Sequence, residues 1–296
     1  MGHDKYNSAS RSARATTMGY FSKSADDIFT QSKERKIHES MEPKKALLRE
    51  ARDSENHPNS LPIIIALDTT GSMGSIPAHL VKDGLPKMVG NIIQKGIPDP
   101  AILFLGVGDH ECDRAPLQVG QFESGDEELD LWLTRTWLEK GGGGNSGESY
   151  LLAWYFAAKH TVTDSIEKRG QKGILFTIGD EPCLKSLPKR VVEELMGVGT
   201  EVNYTDVQLL ELAQEKYDVY HLHVMQGSDG HHSLGYWQNL LGQKCIVVDD
   251  YEKVGDILSD TVISNVKSRV SYSPSKPTIQ DTKKKKDETK PEEEIL

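Results

Sequence analysis

Apolar runs alternate with segments of helical periodicity through most of the 296-residue chain. Continuous apolar runs are typical of strands that are buried on both faces, and a shorter alternating run suits a strand at the edge of a sheet. The continuous runs occupy residues 62–67, 101–107, 173–178, 218–225 and 244–248, and the alternating run occupies residues 117–122. The segments between them repeat apolar residues every three or four positions, which predicts helices. Strands separated by helices predict an α/β fold, with a doubly wound, mostly parallel, six-stranded sheet flanked by helices.

Two short motifs predict where helices begin. Ser124 to Glu127 has the form of a capping box, opening a helix that continues through Leu138. Thr205 to Gln208 has the same form, opening a helix that continues through Ala213.

The two ends of the chain differ in composition from its middle. Residues 1–58 are polar with scattered apolar anchors, which predicts an extended, partly ordered N-terminal arm that Leu47 and Leu48 dock on the core. Residues 59–272 are predicted to form one domain. Residues 273–296 contain the run Lys283–Lys286 and three successive glutamates, a composition that predicts a disordered charged tail.

Charge and cysteine content narrow the possible partners. The net charge is −10, and no basic stripe interleaved with aromatic residues is present, so nucleic acid is not an expected partner. The cysteines are three in number and widely spaced, which suits a reducing compartment. Since the sequence shows neither a secretory signal nor an apolar run of about 18 residues, we expect a cytoplasmic protein without a membrane partner.

The first long apolar run ends at a carboxylate, and hydroxyls follow at spacings of two. These residues are Asp68, Thr70 and Ser72, and their oxygens suit a hard divalent cation. Open α/β sheets place ligands at the carboxyl ends of their strands, where this loop would lie. The simpler interpretation is a turn in which Thr70 or Ser72 caps the next helix.

The segment Asp68-Thr-Thr-Gly-Ser72 resembles the metal-ion-dependent adhesion site of von Willebrand factor A (VWA) domains, whose usual form is Asp-x-Ser-x-Ser. The resemblance extends over residues 60 to 270, because an edge strand ending in Phe122, a glycine-rich loop before a helix and an aspartate after an apolar strand follow in the same order. It implies a Rossmann-like VWA fold of the intracellular bacterial or phage type. It also implies that Asp180 reaches the metal through water, and that the metal is Mg²⁺, with Mn²⁺ or Ca²⁺ as alternatives.

The second loop, which is the glycine-rich segment Gly141–Ser149, departs from the family pattern. The family threonine would align with Gly144, so Asn145 or Ser146 would have to replace it as a metal ligand. Alternatively, the loop resembles a bacterial form, Gly-Gly-Gly-Asp-x-Pro-Glu, with Asn145 in place of the aspartate and Glu148 retained. The residues expected to border the site and contact a partner are Asp109, His110, Glu148 and Glu181.

The resemblance implies a Mg²⁺-dependent protein-protein interaction module and not an enzyme. The metal would capture an aspartate or glutamate of a partner protein, and bacterial relatives are frequently paired with MoxR-type AAA+ ATPases. The chain contains no phosphate-binding loop of the form Gly-x-x-x-x-Gly-Lys-Ser/Thr.

Three other interpretations stay open at this point. Asp68 also resembles the nucleophile of haloacid-dehalogenase phosphatases, with Thr177 binding phosphate and either Asp180 or the pair Asp249-Asp250 holding Mg²⁺. The missing loop-two threonine would also suit a scaffold protein with a vestigial metal site. His221 and His223 share one strand face and could bind zinc with a third ligand, although packing is the simpler role.

Overall fold

The structure is a computed structural model that describes residues 4–97, 99–140, 145, 147–225 and 230–271, with the side chains of residues 270 and 271 excepted. Its strands are β1 (Arg49–Ala51), β2 (Leu61–Asp68), β3 (Pro100–Val107), β4 (Leu117–Val119), β5 (Thr161–Thr163), β6 (Gly173–Gly179), β7 (Ser186–Leu187), β8 (Tyr204–Thr205), β9 (Tyr217–Val224) and β10 (Cys245–Val248). Its α-helices are α1 (Ser8–Met18), α2 (Ala25–Ile28), α3 (Gln31–Glu34), α4 (Ile76–His79), α5 (Leu85–Gln94), α6 (Asp126–Thr134), α7 (Tyr150–Lys159), α8 (Asp164–Arg169), α9 (Lys189–Met196), α10 (Asp206–Lys216), α11 (Gly230–Leu241) and α12 (Val254–Ser271). A π-helical turn, Leu80–Gly84, joins α4 to α5.

Within the described residues, the central sheet has six strands in the order β10-β9-β6-β2-β3-β4. All neighbours in it are parallel except β4, which runs antiparallel to β3 at one edge. The chain leaves β2 toward β3 and leaves β6 toward β9, so the crossovers diverge between β2 and β6. Such a point opens a crevice at the carboxyl ends of the strands. The predicted fold class is confirmed.

The core lies in two layers, one on each face of the sheet. On one face α7 is the central helix, and nine of its ten residues are buried because α10 and α11 cover it from outside. On the other face α5 and α12 pack together over the sheet. All eight residues of β2 are buried, as expected for a central parallel strand covered by helices on both sides.

Residues of the predicted N-terminal arm pack on this core. Arg11 and Arg14 of α1 form ion pairs with Asp130 of α6, and β1 pairs in parallel with β5. Phe29 and Met41 are fully buried.

The expected docking by Leu47 and Leu48 is wrong, since these side chains are 45% and 48% exposed. The segment is held instead by its backbone, because the carbonyl of Leu47 is hydrogen-bonded to Nδ1 of His160 at 2.7 Å. The boundaries at residues 58 and 272 stay predictions, and the predicted tail, residues 273–296, lies outside the described residues.

The two predicted capping boxes had different outcomes. The Thr205 box is confirmed, with the side chain of Gln208 completing it. The Ser124 box is wrong, because the hydroxyl of Ser124 donates to the carbonyl of Pro100 at 2.9 Å and α6 begins after Gly125 without a side-chain cap. The same helix ends at Thr134, before Leu138.

None of the helices that the structure describes is both long and apolar enough to cross a membrane.

Candidate metal site at the carboxyl end of the sheet

Asp68 is the last residue of β2, and its carboxylate is fully buried. Its Oδ1 accepts hydrogen bonds from the backbone N–H of Thr70 at 2.8 Å and from the hydroxyl of Thr70 at 2.6 Å. Its Oδ2 accepts a hydrogen bond from the hydroxyl of Tyr150 at 3.0 Å. The carboxylate is therefore held in one orientation at the crevice between β2 and β6.

Hydrogen bonds connect the first loop, which carries Asp68, Thr70 and Ser72, to the loop after β6. The hydroxyl oxygens of Thr70 and Ser72 lie 3.2 Å apart, and the Ser72 hydroxyl donates to Oδ1 of Asp180 at 2.8 Å. Neither hydroxyl caps a helix, since Thr70 makes no side-chain cap bond and Ser72 lies within the 3-10 turn Gly71–Met73. The structure thus brings together Asp68, Thr70, Ser72 and Asp180, and the simpler helix-cap interpretation is wrong.

The second loop is attached on both sides of the site. The backbone N–H of Glu148 donates to the carbonyl of Pro182 at 2.9 Å, and the N–H of Leu184 donates to the carbonyl of Glu148 at 2.9 Å. On the other side, the hydroxyl oxygen of Ser149 accepts a hydrogen bond of 2.8 Å from the N–H of His110. The second loop therefore bridges the loops that follow β3 and β6.

Of the second-loop candidates that the structure describes, Glu148 is buried and Asn145 is exposed. Glu148 is 6% exposed, and its Oε2 is buried without a hydrogen-bond partner in the part of the chain that the structure describes. Asn145 is exposed and donates to Oε2 of Glu111 at 2.7 Å. Ser146, together with Gly141–Gly144, lies outside the described residues.

The site carries more negative charge than its surroundings favour. Burial raises the pKa of Asp68, and the nearby charge of Asp180 raises it further, against the hydrogen bonds from Thr70 and Tyr150. Burial also raises the pKa of Glu148, with added repulsion from Asp68. Buried acids that raise one another's pKa either hold protons or share a cation.

The four residues expected to border the site have different exposures. His110 and Glu181 are partly exposed, whereas Asp109 and Glu148 are buried, unlike the expected rim. Asp109 closes its own turn, because its Oδ1 accepts from the N–H of Glu111 and its N–H donates to Asp113, both at 2.8 Å.

Two contributions to the site are not apparent from the sequence patterns. Tyr150, the first residue of α7, supplies the hydroxyl donor to Asp68. Gly179 leaves the space for this contact, because a Cβ there would lie 1.7 Å from the Tyr150 hydroxyl and 3.0 Å from Oδ2 of Asp68. The sequence signals are a tyrosine directly after the glycine-rich loop and a glycine directly before Asp180.

A buried cluster of aromatic and histidine side chains packs against the ring of Tyr150. The ring of Tyr150 meets His221 and Trp237 edge-on, and His221 stacks on Trp237 with centroids 3.5 Å apart. The ring nitrogens of His221 and His223 are engaged in hydrogen bonds with Thr177, with each other and with the carbonyl of Gly230. Among the described residues, no group of three or more His, Cys, Asp and Glu side chains is arranged to hold a metal. The stacking of His221 on Trp237 and the hydrogen bonds of both histidines are packing contacts.

No protein-family model matches the chain, and no curated protein matches it. Several solved structures show a low similarity in shape. The open conformation of the pilus adhesin SpaC from Lactobacillus rhamnosus GG is 9% identical with a TM-score of 0.47, and the match covers 73% of this chain and 31% of the adhesin. Proximal thread matrix protein 1 from the mussel byssus is 10% identical with a TM-score of 0.46, over 69% of this chain and 47% of that protein.

A structure of the same mussel protein with a zinc-occupied MIDAS motif is 10% identical with a TM-score of 0.44. The chain spans about a third of the adhesin and just under half of the mussel protein. Similarities this low do not identify a function.

Proposed function

We propose that this chain is a VWA-type module that binds a divalent cation and, through it, an acidic side chain of a partner protein. The observation that carries the proposal is the hydrogen-bonded series Asp68, Thr70, Ser72 and Asp180, which joins the carboxyl ends of β2 and β6 at the divergence of the crossovers. The sequence motif supports it independently.

The donor set fits a hard cation. Asp68, Thr70, Ser72 and Asp180 offer only oxygen atoms, which Mg²⁺, Mn²⁺ and Ca²⁺ all accept. The buried Oε2 of Glu148, which has no hydrogen-bond partner in the described part of the chain, also supports a cation at this place. A divalent ion held by Asp68, Thr70, Ser72 and Asp180 would supply an open coordination position for a carboxylate oxygen.

The open side of the site faces solvent at the first loop. Gly71 and Ser72 are exposed, whereas Asp68 and Asp180 are fully buried. A partner would therefore approach over this loop and present an aspartate or glutamate. The resemblance to bacterial VWA proteins extends the proposal to an adaptor of a MoxR-type AAA+ ATPase. The free thiols of the three cysteines fit the proposed cytoplasmic location.

The positions of the other residues favour a binding module over a phosphatase. Thr177 is buried and its hydroxyl is hydrogen-bonded to Nδ1 of His221 at 2.8 Å. Asp249 follows β10, three strands from β2, or about 14 Å at roughly 4.8 Å per strand. The phosphatase interpretation also needs a lysine in a helix over the phosphate. Lys172 instead precedes β6, at the opposite end of the strand from Asp180.

Titration calorimetry with Mg²⁺ and Mn²⁺ tests the proposal directly. We expect heat of binding for the wild type and none for Asp68→Ala. Asp83→Ala, which removes an exposed acid from the π-helical turn beyond the first loop, is the matched control and should bind like the wild type. Equal heats for wild type and Asp68→Ala would favour the scaffold with a vestigial site. Turnover of a generic phosphate ester in millimolar Mg²⁺, lost in Asp68→Ala, would favour the phosphatase.

A further inference from the structure

A cleft lies between the segment that carries α1 to α3 and helix α6. Its volume is about 290 Å³, and the residues that line it include Met18, Tyr20, Ile28, Gln31, Leu131 and Arg135. Gln31 and His38 line both this cleft and a second one of about 330 Å³, so the two adjoin. We call the two clefts together the arm groove. The residues that line it do not include the candidate metal ligands.

Gln31 gives the groove a buried acceptor that lacks a donor. The residue is 6% exposed, and its Oε1 is buried without a hydrogen-bond partner among the residues that the structure describes. An amide oxygen that is buried without a donor lowers the stability of the fold. A ligand that donates a hydrogen bond to this oxygen would remove the penalty.

His38 gives the groove a donor close to this acceptor. Its Nδ1 accepts a hydrogen bond of 3.2 Å from the backbone N–H of Ser40. Burial lowers the pKa of His38, and the charge of Arg135 lowers it further, so the ring is neutral near pH 7. The neutral ring therefore carries its proton on Nε2. An acceptor at Gln31 and a donor at His38 match the N–H and the carbonyl that a peptide backbone offers.

Apolar side chains also line the first cleft. Tyr20 and Ile28 are buried, whereas Met18 and Leu131 are 47% and 41% exposed. Pockets for drug-sized molecules usually measure roughly 300–1,000 Å³. A cleft of about 290 Å³ instead suits one large apolar side chain, whose entry would remove Met18 and Leu131 from water.

The charges around the groove favour an acidic ligand. Each acid that lines it already lies beside a lysine, in the pairs Asp27 with Lys33, Glu34 with Lys36 and Glu39 with Lys45. Lys23 and Arg135 also line the groove and form no ion pair within the described part of the chain. Two basic side chains are therefore left to attract acids from a ligand.

We propose that the arm groove binds an acidic peptide segment of a partner protein, with one large apolar side chain of the peptide in the first cleft. A backbone N–H of the peptide donates to Oε1 of Gln31, and a carbonyl accepts from Nε2 of His38. The acidic side chains of the peptide lie beside Lys23 and Arg135. This site uses none of the candidate metal ligands, so it is independent of the function proposed above.

The first experiment measures the fluorescence anisotropy of labelled heptapeptides as the full chain is added. Chelator is present throughout, so that no cation can capture the acids of the peptide. The probes carry leucine, methionine, phenylalanine or tryptophan at the centre and glutamates on both sides. Matched probes carry lysines in place of the glutamates, or alanine at the centre.

At least one acidic probe should bind with a Kd at least about tenfold lower than its alanine counterpart, because a large apolar side chain is buried. It should also bind more tightly than its lysine counterpart, and rising salt should weaken it. No binding by any acidic probe, or equal binding by the lysine probes, would overturn the proposal.

The second experiment repeats the titration with Gln31→Met, which keeps the length of the side chain and removes the acceptor. The acidic probe should bind about two- to tenfold more weakly, as expected for the loss of one hydrogen bond. The denaturation midpoint of the free protein should stay the same or rise, because a buried oxygen without a donor is removed. A glutamine with only a structural role would leave the Kd of the probe unchanged, and that result would overturn the proposal.

A pair of arginine variants tests the charge. Arg135→Ala should weaken the acidic probe several-fold and reduce the effect of salt. Arg114→Ala is the matched control, since Arg114 is an exposed arginine after β3 that does not line the groove, and it should bind the probe like the wild type. Equal Kd values for Arg135→Ala and the wild type would contradict the proposed site.

Two other occupants of the groove would give different results. Residues 287–296 contain three glutamates followed by Ile295 and Leu296. Acidic probes that bind only after these residues are removed would identify this segment as the occupant. Self-association in sedimentation velocity that Arg135→Ala abolishes would identify a second copy of the chain. Either result would overturn the assignment to a partner protein.

Discussion

The hydroxyl of Tyr150 donates a 3.0 Å hydrogen bond to Oδ2 of Asp68, across a space that only Gly179 leaves open. Burial raises the pKa of Tyr150 well above its ordinary value, so the hydroxyl keeps its proton and stays a donor. With Thr70 bonded to Oδ1, both oxygens of Asp68 are oriented before any ligand arrives. The carboxylate therefore does not depend on a cation for its position.

Replacing Tyr150 by phenylalanine should destabilise the protein and weaken the metal site. A buried carboxylate oxygen would lose its donor, which costs about 1–3 kcal/mol in the free energy of unfolding. Denaturant unfolding in chelator and calorimetry with Mn²⁺ measure the two effects. Tyr155→Phe is the matched control, since Tyr155 is also buried on α7 but makes no hydrogen bond to Asp68. Equal losses in both variants would contradict the specific role of Tyr150.

Gly179→Ala should be strongly unfavourable for steric reasons. The new Cβ would lie 1.7 Å from the Tyr150 hydroxyl, so either the ring or β6 must move, at a cost of about 1–3 kcal/mol in stability or more. Because the clash involves the hydroxyl, combining the change with Tyr150→Phe should cost less than the sum of the single changes. A double-mutant cycle from denaturant unfolding measures this coupling.

Gly90→Ala is the control for Gly179, because a Cβ on Gly90 would meet nothing within 4 Å. Alanine is the better helix former, so this variant should be as stable as the wild type or more stable by up to about 1 kcal/mol. Strict additivity of Gly179→Ala and Tyr150→Phe would show that the two residues do not share a space.

Local patterns predicted the sheet and the first loop. The apolar runs that became β2, β3 and β6 are continuous in the sequence, and Asp68, Thr70 and Ser72 lie within five residues of one another. The Thr205 capping box was also predictable, because all its partners lie within one helical turn.

The features that the sequence patterns did not predict depend on contacts between distant segments of the chain. The hydroxyl of Ser124 donates to the carbonyl of Pro100 on β3 instead of capping α6. Tyr150 meets Asp68 only because α7 packs over β2 in the folded sheet. Glu148 was expected at a rim that contacts a partner, but it is buried. No periodicity in the sequence shows its backbone bridge with Cys183.

Arg11→Ala should unfold the protein more readily than the loss of a surface pair would. Arg11 and Asp130 are each 3% exposed, and the guanidinium also donates to the carbonyl of Val81 in the π-helical turn. Removing one partner of a buried pair costs about 3–5 kcal/mol when the remaining charge is left alone. Because Asp130 keeps its ion pair with Arg14, the loss should fall below that range but above that of a surface pair. Denaturation midpoints measure the loss.

The matched control for Arg11 is Lys33→Ala, which breaks an exposed ion pair with Asp27. Exposed pairs contribute about 0–1 kcal/mol, so this variant should remain close to the wild type. A loss for Arg11→Ala no larger than that of Lys33→Ala would mean that α1 contributes little to the fold.

The metal-free protein should become less stable as the pH rises from about 5.5 to about 8. Burial raises the pKa values of Asp68 and Glu148 above those of the unfolded chain, which are about 4. The folded state then binds more protons, so the stability that these acids contribute is present in acid and lost as the pH rises through the raised values. Thermal unfolding in chelator at several pH values measures the trend.

Two comparisons test the assignment of this pH dependence. The double variant Asp68→Asn, Glu148→Gln should lose most of the slope, since neither site can then titrate. For the wild type, Mg²⁺ should raise the stability more at pH 8 than at pH 5.5, because the cation binds the ionised acids. An identical slope in the wild type and the double variant would assign the effect to other groups.

The parallel pairing of β1 with β5 limits where the chain can be shortened without disturbing the fold. A fragment starting at Leu61 would remove Phe29 and Met41 from the interior and expose the backbone edge of β5, which is an aggregation hazard. Shortened versions for expression or for partner screens should therefore retain the chain from Asn7, which caps α1, and limited proteolysis of the intact protein should spare the segment around β1.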